Sequence, residues 1–179
     1  MAILIDKKSR VNIQGLPGRA GRFHAKKCLD YGTNIVGGVA PTRRGEYVWK
    51  KPLFNSMKEA HNHLFFNVSL LFVPREETKY AVKEALDVGV DLIVCTTTDL
   101  PVSDLRTIKR WLDAADTIMI GPSSAGIITP GQAMVGRMPA EVYQEGSVGV
   151  GSRADTLGYE VCLSLTKAKI GQSSFVCLC

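Results

Sequence analysis

The chain has 179 residues, 45% of them hydrophobic and 22% charged, with a formal net charge of +5. That length and balance describe one globular domain large enough to bury a core, and they exclude a disordered or fibrous chain. The positive excess suits an anionic ligand, but the pairs Lys26-Lys27, Arg43-Arg44 and Lys50-Lys51 form no run of the kind a nucleic-acid reader needs, so no nucleic-acid partner is expected.

In chain order, 11–13 reads as a strand and 20–31 as a helix closed by Gly32 as C-cap. A second strand covers 34–39, a polar and basic loop 40–51, and a short helix 56–64. The unbroken apolar run 68–73 predicts a strand covered on both faces. A helix over 78–88 carries Ala81, Val82, Ala85 and Leu86 on one side and stops at Gly89, and 92–95 is another buried strand. Ser103 is expected to cap a helix bearing Leu105, Ile108 and Leu112. A strand over 117–120 ends at Gly121-Pro122, one over 147–150 follows, and Ser152 is placed to cap a helix carrying Leu157, Val161 and Leu165.

Strand and helix alternate along the chain, which predicts βαβ units and a doubly wound, mostly parallel sheet of Rossmann-like type. The expected domain runs over 1–170, with the apolar, strand-like 171–179 an edge strand or the start of a second domain. The five cysteines, Cys28, Cys95, Cys162, Cys177 and Cys179, include no C-x-x-C pair, so free thiols are expected rather than disulfides or a metal site. Cys28, Cys95 and Cys162 fall in apolar patterns and read as small core residues. No apolar run approaches the roughly 18 residues of a membrane span. The opening Met-Ala-Ile-Leu-Ile-Asp has no leader character, so a cytoplasmic location is expected, or the mitochondrial matrix if a presequence has been removed.

In doubly wound sheets ligands bind beyond the carboxyl ends of the strands, so the loops after each strand carry the chemistry. The first is Gly15-Leu16-Pro17-Gly18-Arg19-Ala20-Gly21, whose glycines allow a sharp turn and a close backbone approach to a phosphate held at the next helix N-terminus. An NAD site needs a carboxylate after the second strand, but Gly37-Gly38-Val39 stands there and none occurs before Glu46, which argues against a dehydrogenase. Arg43 and Arg44 suit a ligand with several phosphates, or form a solvated basic loop. Thr96, Thr97 and Thr98 offer hydroxyls at a strand end, or serve as turn residues with Asp99. His24, His61 and His63 have no carboxylate partner in sequence; a structural role is expected for His24, and no catalytic residue is assigned.

Together these loops resemble the start of the α subunit of succinyl-CoA synthetase (succinate–CoA ligase). The resemblance is carried by 2–7, Gln14-Gly15, Gly18, Gly21, Phe23-His24, Tyr31-Gly32-Thr33, Val36-Gly37-Gly38-Val39, Pro52 and Phe54-Asn55. It continues in Val73-Pro74, Gly121-Pro122, Gly126, Ile128-Thr129-Pro130-Gly131, Ser152-Arg153, Thr156-Leu157 and Tyr159-Glu160, covering essentially the whole chain. It implies that Pro17, Gly18, Arg19 and Ala20 hold coenzyme A, with Arg43 in place of a lysine and Thr96, Thr97 and Thr98 as a third CoA segment. Tyr159 matches a substrate-binding position near a β subunit, which would supply Mg²⁺ and ATP or GTP.

The chain departs from the family's pattern at Pro17 (threonine in the family), Thr98 (glutamate), Ser123-Ser124-Ala125 (N-C-P) and Ala154-Asp155 (S-G). The family's phosphorylated histidine lies in a second domain that begins where this match stops. The function so implied is the CoA-binding part of an acid–thiol ligase, positioning CoA for attack on an acyl phosphate. The alternative is a non-catalytic paralogue acting as a CoA-binding or structural subunit.

Overall fold

The computed structural model describes residues 2–178. Its elements are β1 (Arg10–Gln14), α1 (Arg19–Tyr31), β2 (Asn34–Val39), β3 (Tyr47–Val48), β4 (Lys51–Phe54), α2 (Met57–His63), β5 (Val68–Leu71), α3 (Arg75–Asp87), β6 (Leu92–Cys95) and α4 (Val102–Leu112). They continue with β7 (Ile118–Ile120), β8 (Gly126–Thr129), β9 (Ala133–Gly136), β10 (Glu145–Ser152), α5 (Asp155–Lys167) and β11 (Gln172–Cys177).

Side chains alternate across a strand, and here both faces are covered. Val68 and Leu70 of β5 and Leu92 and Val94 of β6 enter one core, while Leu71, Ile93 and Cys95 enter another. The continuous apolar runs in the sequence are therefore two interleaved faces. Each fully buried Leu, Ile or Val in them contributes about 1.5–3 kcal/mol by leaving water. The first core is closed by Ala25 and Cys28 of α1 together with a second, smaller sheet; the second is closed by α2, α3 and α4.

The larger sheet has seven strands in the order β3-β4-β2-β1-β5-β6-β7. All its pairings are parallel except β3 with β4. This is the doubly wound, mostly parallel sheet expected. The loop expected over 40–51 contains β3 and runs into β4, because β2 takes a parallel neighbour there, Gly38 opposite Leu53.

The smaller sheet, in the order β10-β11-β8-β9, was not foreseen. β8 and β9 form a hairpin, and β10, expected among the parallel strands, belongs here instead. β11 is no edge strand: it lies between β10, parallel, and β8, antiparallel. Cys179 lies outside the described residues.

Two expected caps differ. α4 starts at Val102 after Pro101 (φ −58°, ψ 142°), which puts Ser103 inside the first turn; proline's fixed φ and missing N–H suit a helix start. Ser152 keeps its hydroxyl on Ala154, donating to its carbonyl at 2.7 Å and accepting from its N–H at 3.2 Å, so Ala154 is the N-cap of α5. The cap expected at Gly32 (φ 100°) is present, and Ser56, expected inside the short helix, is instead the N-cap of α2, accepting from the Glu59 N–H at 3.2 Å.

Candidate functional site

The strand order reverses between β1 and β5, which opens a crevice beyond their carboxyl ends. Two cavities meet there and share Gly18, Phe72, Val73 and Pro74. The first lobe, about 340 Å³, is mostly apolar, walled by Val39, Ala40, Pro41 and Ala81 with Glu77, Tyr80 and Glu84 at its polar side. The second, about 570 Å³, is lined by Arg19, Ala20, His24, Arg137 and the three threonines Thr96, Thr97 and Thr98. Another depression of about 630 Å³ between α2 and α3 is lined by helix residues such as Lys58, His61 and Asp87, away from the strand ends.

The glycine loop stands between the lobes. Gly15 has φ +81°, and a Cβ there would lie 2.4 Å from the Phe72 carbonyl oxygen, so only glycine lets β1 turn this closely past the β5 loop. A Cβ on Gly21 would lie 2.2 Å from the Gly15 oxygen, so the third glycine is what seats α1 on the loop. Gly18 is the N-cap of α1 and offers no side-chain cap, and the first turn holds no acid. The first intrahelical bond runs from the Arg22 N–H to the Gly18 carbonyl at 2.8 Å, which leaves the amides of Arg19, Ala20 and Gly21 ahead of it. That end is a ready anion site, with the helix dipole and free N–H groups pointing outward.

The remaining residues singled out in sequence are not all gathered here. Pro17 lines neither lobe; its carbonyl accepts from the Arg22 Nε at 3.1 Å and so folds that arginine back on the loop. Arg43 is exposed, 3.5 Å from Glu46, on a turn closed by its own N–H to the Ala40 carbonyl at 3.1 Å. Arg44 pairs with Glu59 at 2.6 Å. Thr96 and Thr97 spend their hydroxyl protons on the Leu71 and Val73 carbonyls at 2.8 and 2.9 Å, tying β6 to the β5 loop, while exposed Thr98 donates to Asp99 at 3.0 Å. Their oxygens remain able to accept. Tyr159 sits on α5 with its ring 6.0 Å from that of Phe175 and lines neither lobe.

Two residues that sequence reasoning missed face the second lobe. His24 is half-buried, stacked on Phe72, and its Nδ1 is buried without a hydrogen-bond partner. Burial, then Lys27 and Arg137, hold its pKa below the usual histidine value, so it favours the neutral form. Arg137 follows β9, and its buried Nε also has no partner. His24's place one turn beyond the glycine loop was a usable signal; Arg137 had none, because only the hairpin's packing on α1 brings it here.

A family profile described as the CoA binding domain matches residues 6–98, more than half of the chain. The chain belongs to the CoA-binding domain family.

The match holds the glycine loop, Arg43 and the three threonines, and stops before Arg137 and Tyr159. Beyond the family segment, the chain is 43% identical over 178 residues to the succinate–CoA ligase [ADP-forming] subunit alpha of Aquifex aeolicus, covering 98% of this chain and 58% of that protein. It is 42% identical over 176 residues to subunit alpha 1 of the same-named enzyme from Archaeoglobus fulgidus, covering 98% of this chain and 60% of the other. The CoA-binding-domain chain thus spans about three fifths of the length of these curated relatives.

Among solved structures, an ATP citrate lyase from Methanothrix soehngenii in complex with citrate and coenzyme A superposes with a TM-score of 0.84 at 18% identity, covering 98% of this chain and 32% of that one. A dinucleotide-forming acetyl-coenzyme A synthetase 1 from Ca. Korarchaeum cryptofilum gives 0.80 at 18% identity, covering 96% and 38%. These share the fold. Among the described residues no helix is long and apolar enough to cross a membrane.

Proposed function

We propose that the chain is the CoA-holding part of an acid–thiol ligase of the succinate–CoA ligase type. The observation that carries this is the uncapped N-terminus of α1, set between an apolar lobe and a hydroxyl-lined lobe at the point where the strand order reverses. CoA has matching parts. Its adenine ring fits the lobe of Val39, Pro41 and Tyr80, and its diphosphate fits Gly18 and the amides of Arg19 and Ala20 beside Pro17. Its pantetheine chain then runs toward Thr96, Thr97 and Thr98, whose oxygens accept from its amides. Arg43, on the loop after β2, reaches a phosphate at the adenosine end by leaving Glu46.

In this reading the protein acts by placement. Holding the thiol end fixed turns a bimolecular attack into a unimolecular one. The sulfur forms its bond to the acyl carbon as the bond from that carbon to the phosphate oxygen breaks, the thiol proton goes to solvent, and phosphate leaves. Making the acyl phosphate falls to a further domain carrying a phosphorylated histidine and to a β subunit supplying Mg²⁺ and ATP or GTP. Tyr159, on the α5 side, faces that partner's substrate. A cytoplasmic location accompanies this role.

The test is calorimetric titration of CoA into the chain, with dephospho-CoA and NAD as controls. Saturable CoA binding, weakened by Gly18→Asp and Arg43→Ala, supports the reading; a folded chain that binds no CoA overturns it. The second reading, a non-catalytic paralogue, is favoured by Asp155, whose carboxylate occupies the first turn of α5 and accepts from the Thr156 N–H at 2.8 Å. It gains if CoA fails to bind.

A further inference from the structure

We propose that the part of the second lobe lined by Arg137 and His24 is an oxyanion subsite in which the Arg137 guanidinium, with the His24 imidazole beside it, binds a small carboxylate or phosphate next to the CoA chain. Its use as the acyl-side pocket rests on the CoA reading above; its existence does not. The lobe's lining carries Arg19, His24 and Arg137 and no carboxylate. The charged side chains that line this cavity of about 570 Å³, Arg19 and Arg137, are both cationic, which favours negative charge in it.

The arginine is delivered by the fold. Its N–H bonds to the Ala125 carbonyl at 2.8 Å, which fixes the backbone where β9 leaves the hairpin against α1. The guanidinium is not used up. Its buried Nε has no partner, and the carboxylate nearest to pairing with it, Asp155 Oδ2, stands 3.9 Å from an Nη, beyond hydrogen-bond reach. His24 repeats the pattern: its ring is held flat against Phe72 at 5.5 Å and 14°, while Nδ1 is buried and unpaired.

Buried polar atoms in native proteins are paired as a rule, and both residues that carry an orphaned nitrogen here line one cavity, so their side chains are free to turn toward an anion held in it. An oxyanion provides several acceptor lone pairs at once, and the planar guanidinium presents forked donors that match two oxygens of a carboxylate or phosphate. Asp155 opposes the anion, because its own carboxylate competes for the same guanidinium. In the CoA reading the bound oxyanion is the phosphate or the remote carboxylate of the acyl group offered to the thiol.

The experiment is titration of the 179-residue chain, in buffer free of oxyanions, with inorganic phosphate and separately with succinate, each with and without saturating CoA. Arg137→Gln should weaken the tighter of the two by at least about tenfold, the scale of a lost charge-assisted pair, and Arg137→Lys should restore part of it. Asp155→Asn should strengthen it, which keeps the test decisive if an arginine variant melts early. Binding of phosphate alone or of succinate alone, lost in Arg137→Gln, supports the subsite and names the source. No binding of either anion, or equal affinities in the parent, Arg137→Gln and Asp155→Asn, overturns it. So does an Arg137→Gln chain that loses CoA affinity as much as anion affinity, since the arginine then sits on CoA's own phosphates. A parent chain that binds the anion through Arg137 but never binds CoA sinks the CoA reading and leaves the subsite standing.

Discussion

The imidazole of His24 lies nearly parallel to the ring of Phe72, with centroids 5.5 Å apart and 14° between the planes. The contact fastens α1 to the loop after β5 and takes the imidazole out of water. Burial first, then Lys27 and Arg137, lower its pKa below 6.5. The folded chain therefore binds fewer protons here than the unfolded chain at pH values just below 6.5. Stability contributed at this site is present above that pH and is lost as acid protonates the ring. A proton-detected titration should give His24 a midpoint below 6.5, and Arg137→Gln should move it upward by removing one of the opposing charges. A midpoint at or above 6.5 in the parent would contradict the assignment.

The glycines of the first loop separate folding from binding. Gly21→Ala drives a methyl to within 2.2 Å of the Gly15 oxygen and should cost about 1–3 kcal/mol in urea unfolding. Gly18→Ser meets only one contact, 3.2 Å from the same oxygen, at a backbone serine adopts readily, φ −65° and ψ 161°. Serine caps helices as well as glycine or better, so its stability should stay within about 0.5 kcal/mol of the parent. Its hydroxyl would occupy the amides proposed for the CoA diphosphate, so CoA affinity should fall. Equal CoA affinity in Gly18→Ser would remove those amides from the site.

Thr33 joins the two sheets through one hydroxyl. Its Oγ1 donates to the Met134 carbonyl at 2.7 Å and accepts from the Met134 N–H at 2.9 Å, and the residue is buried. Thr33→Val keeps the shape and orphans both backbone groups. Leaving such groups unpaired costs about 1–3 kcal/mol each when water cannot reach them, which the unfolding midpoint should show.

Three thiols should be silent in the native chain. Burial pushes Cys28 and Cys162 up to about 11 and raises Cys95 as well. The thiolate is the reacting form, so a thiol reagent at pH 8 should label these positions only after urea unfolds the chain. Labelling of Cys28 at the rate of an open thiol would show that the α1 face opens freely.

How far the sequence is legible varies by element. Leu92–Cys95 is readable at its observed bounds because it is buried on both faces and shows as an unbroken apolar run, and Asn34–Val39 because the Gly32 cap and the polar loop bracket it. The glycine loop is readable because its chemistry is local: a turn, a close approach and a helix start fall within one short stretch. The cleft's two-lobed shape is not, since it depends on which loop lies beside which, and Thr96 and Thr97 looked like ligand groups until their hydroxyls were seen on the β5 loop. β3 has two residues, too few to carry a period, and β3, β8 and β9 are each defined by pairing with an antiparallel partner.

The sequence by itself determined the alternation of strands and helices, the parallel sheet, the turn at Gly15 and the cap at Gly32. Those are decided by φ preferences and by hydrophobic period within a few residues. Only the tertiary structure decided that the chain builds a second sheet, that β11 is interior to it, and that Arg137 meets His24 across the second lobe. Strand pairing and burial of that kind are settled between residues far apart in the chain, by hydrogen bonds and apolar contacts that no local pattern records.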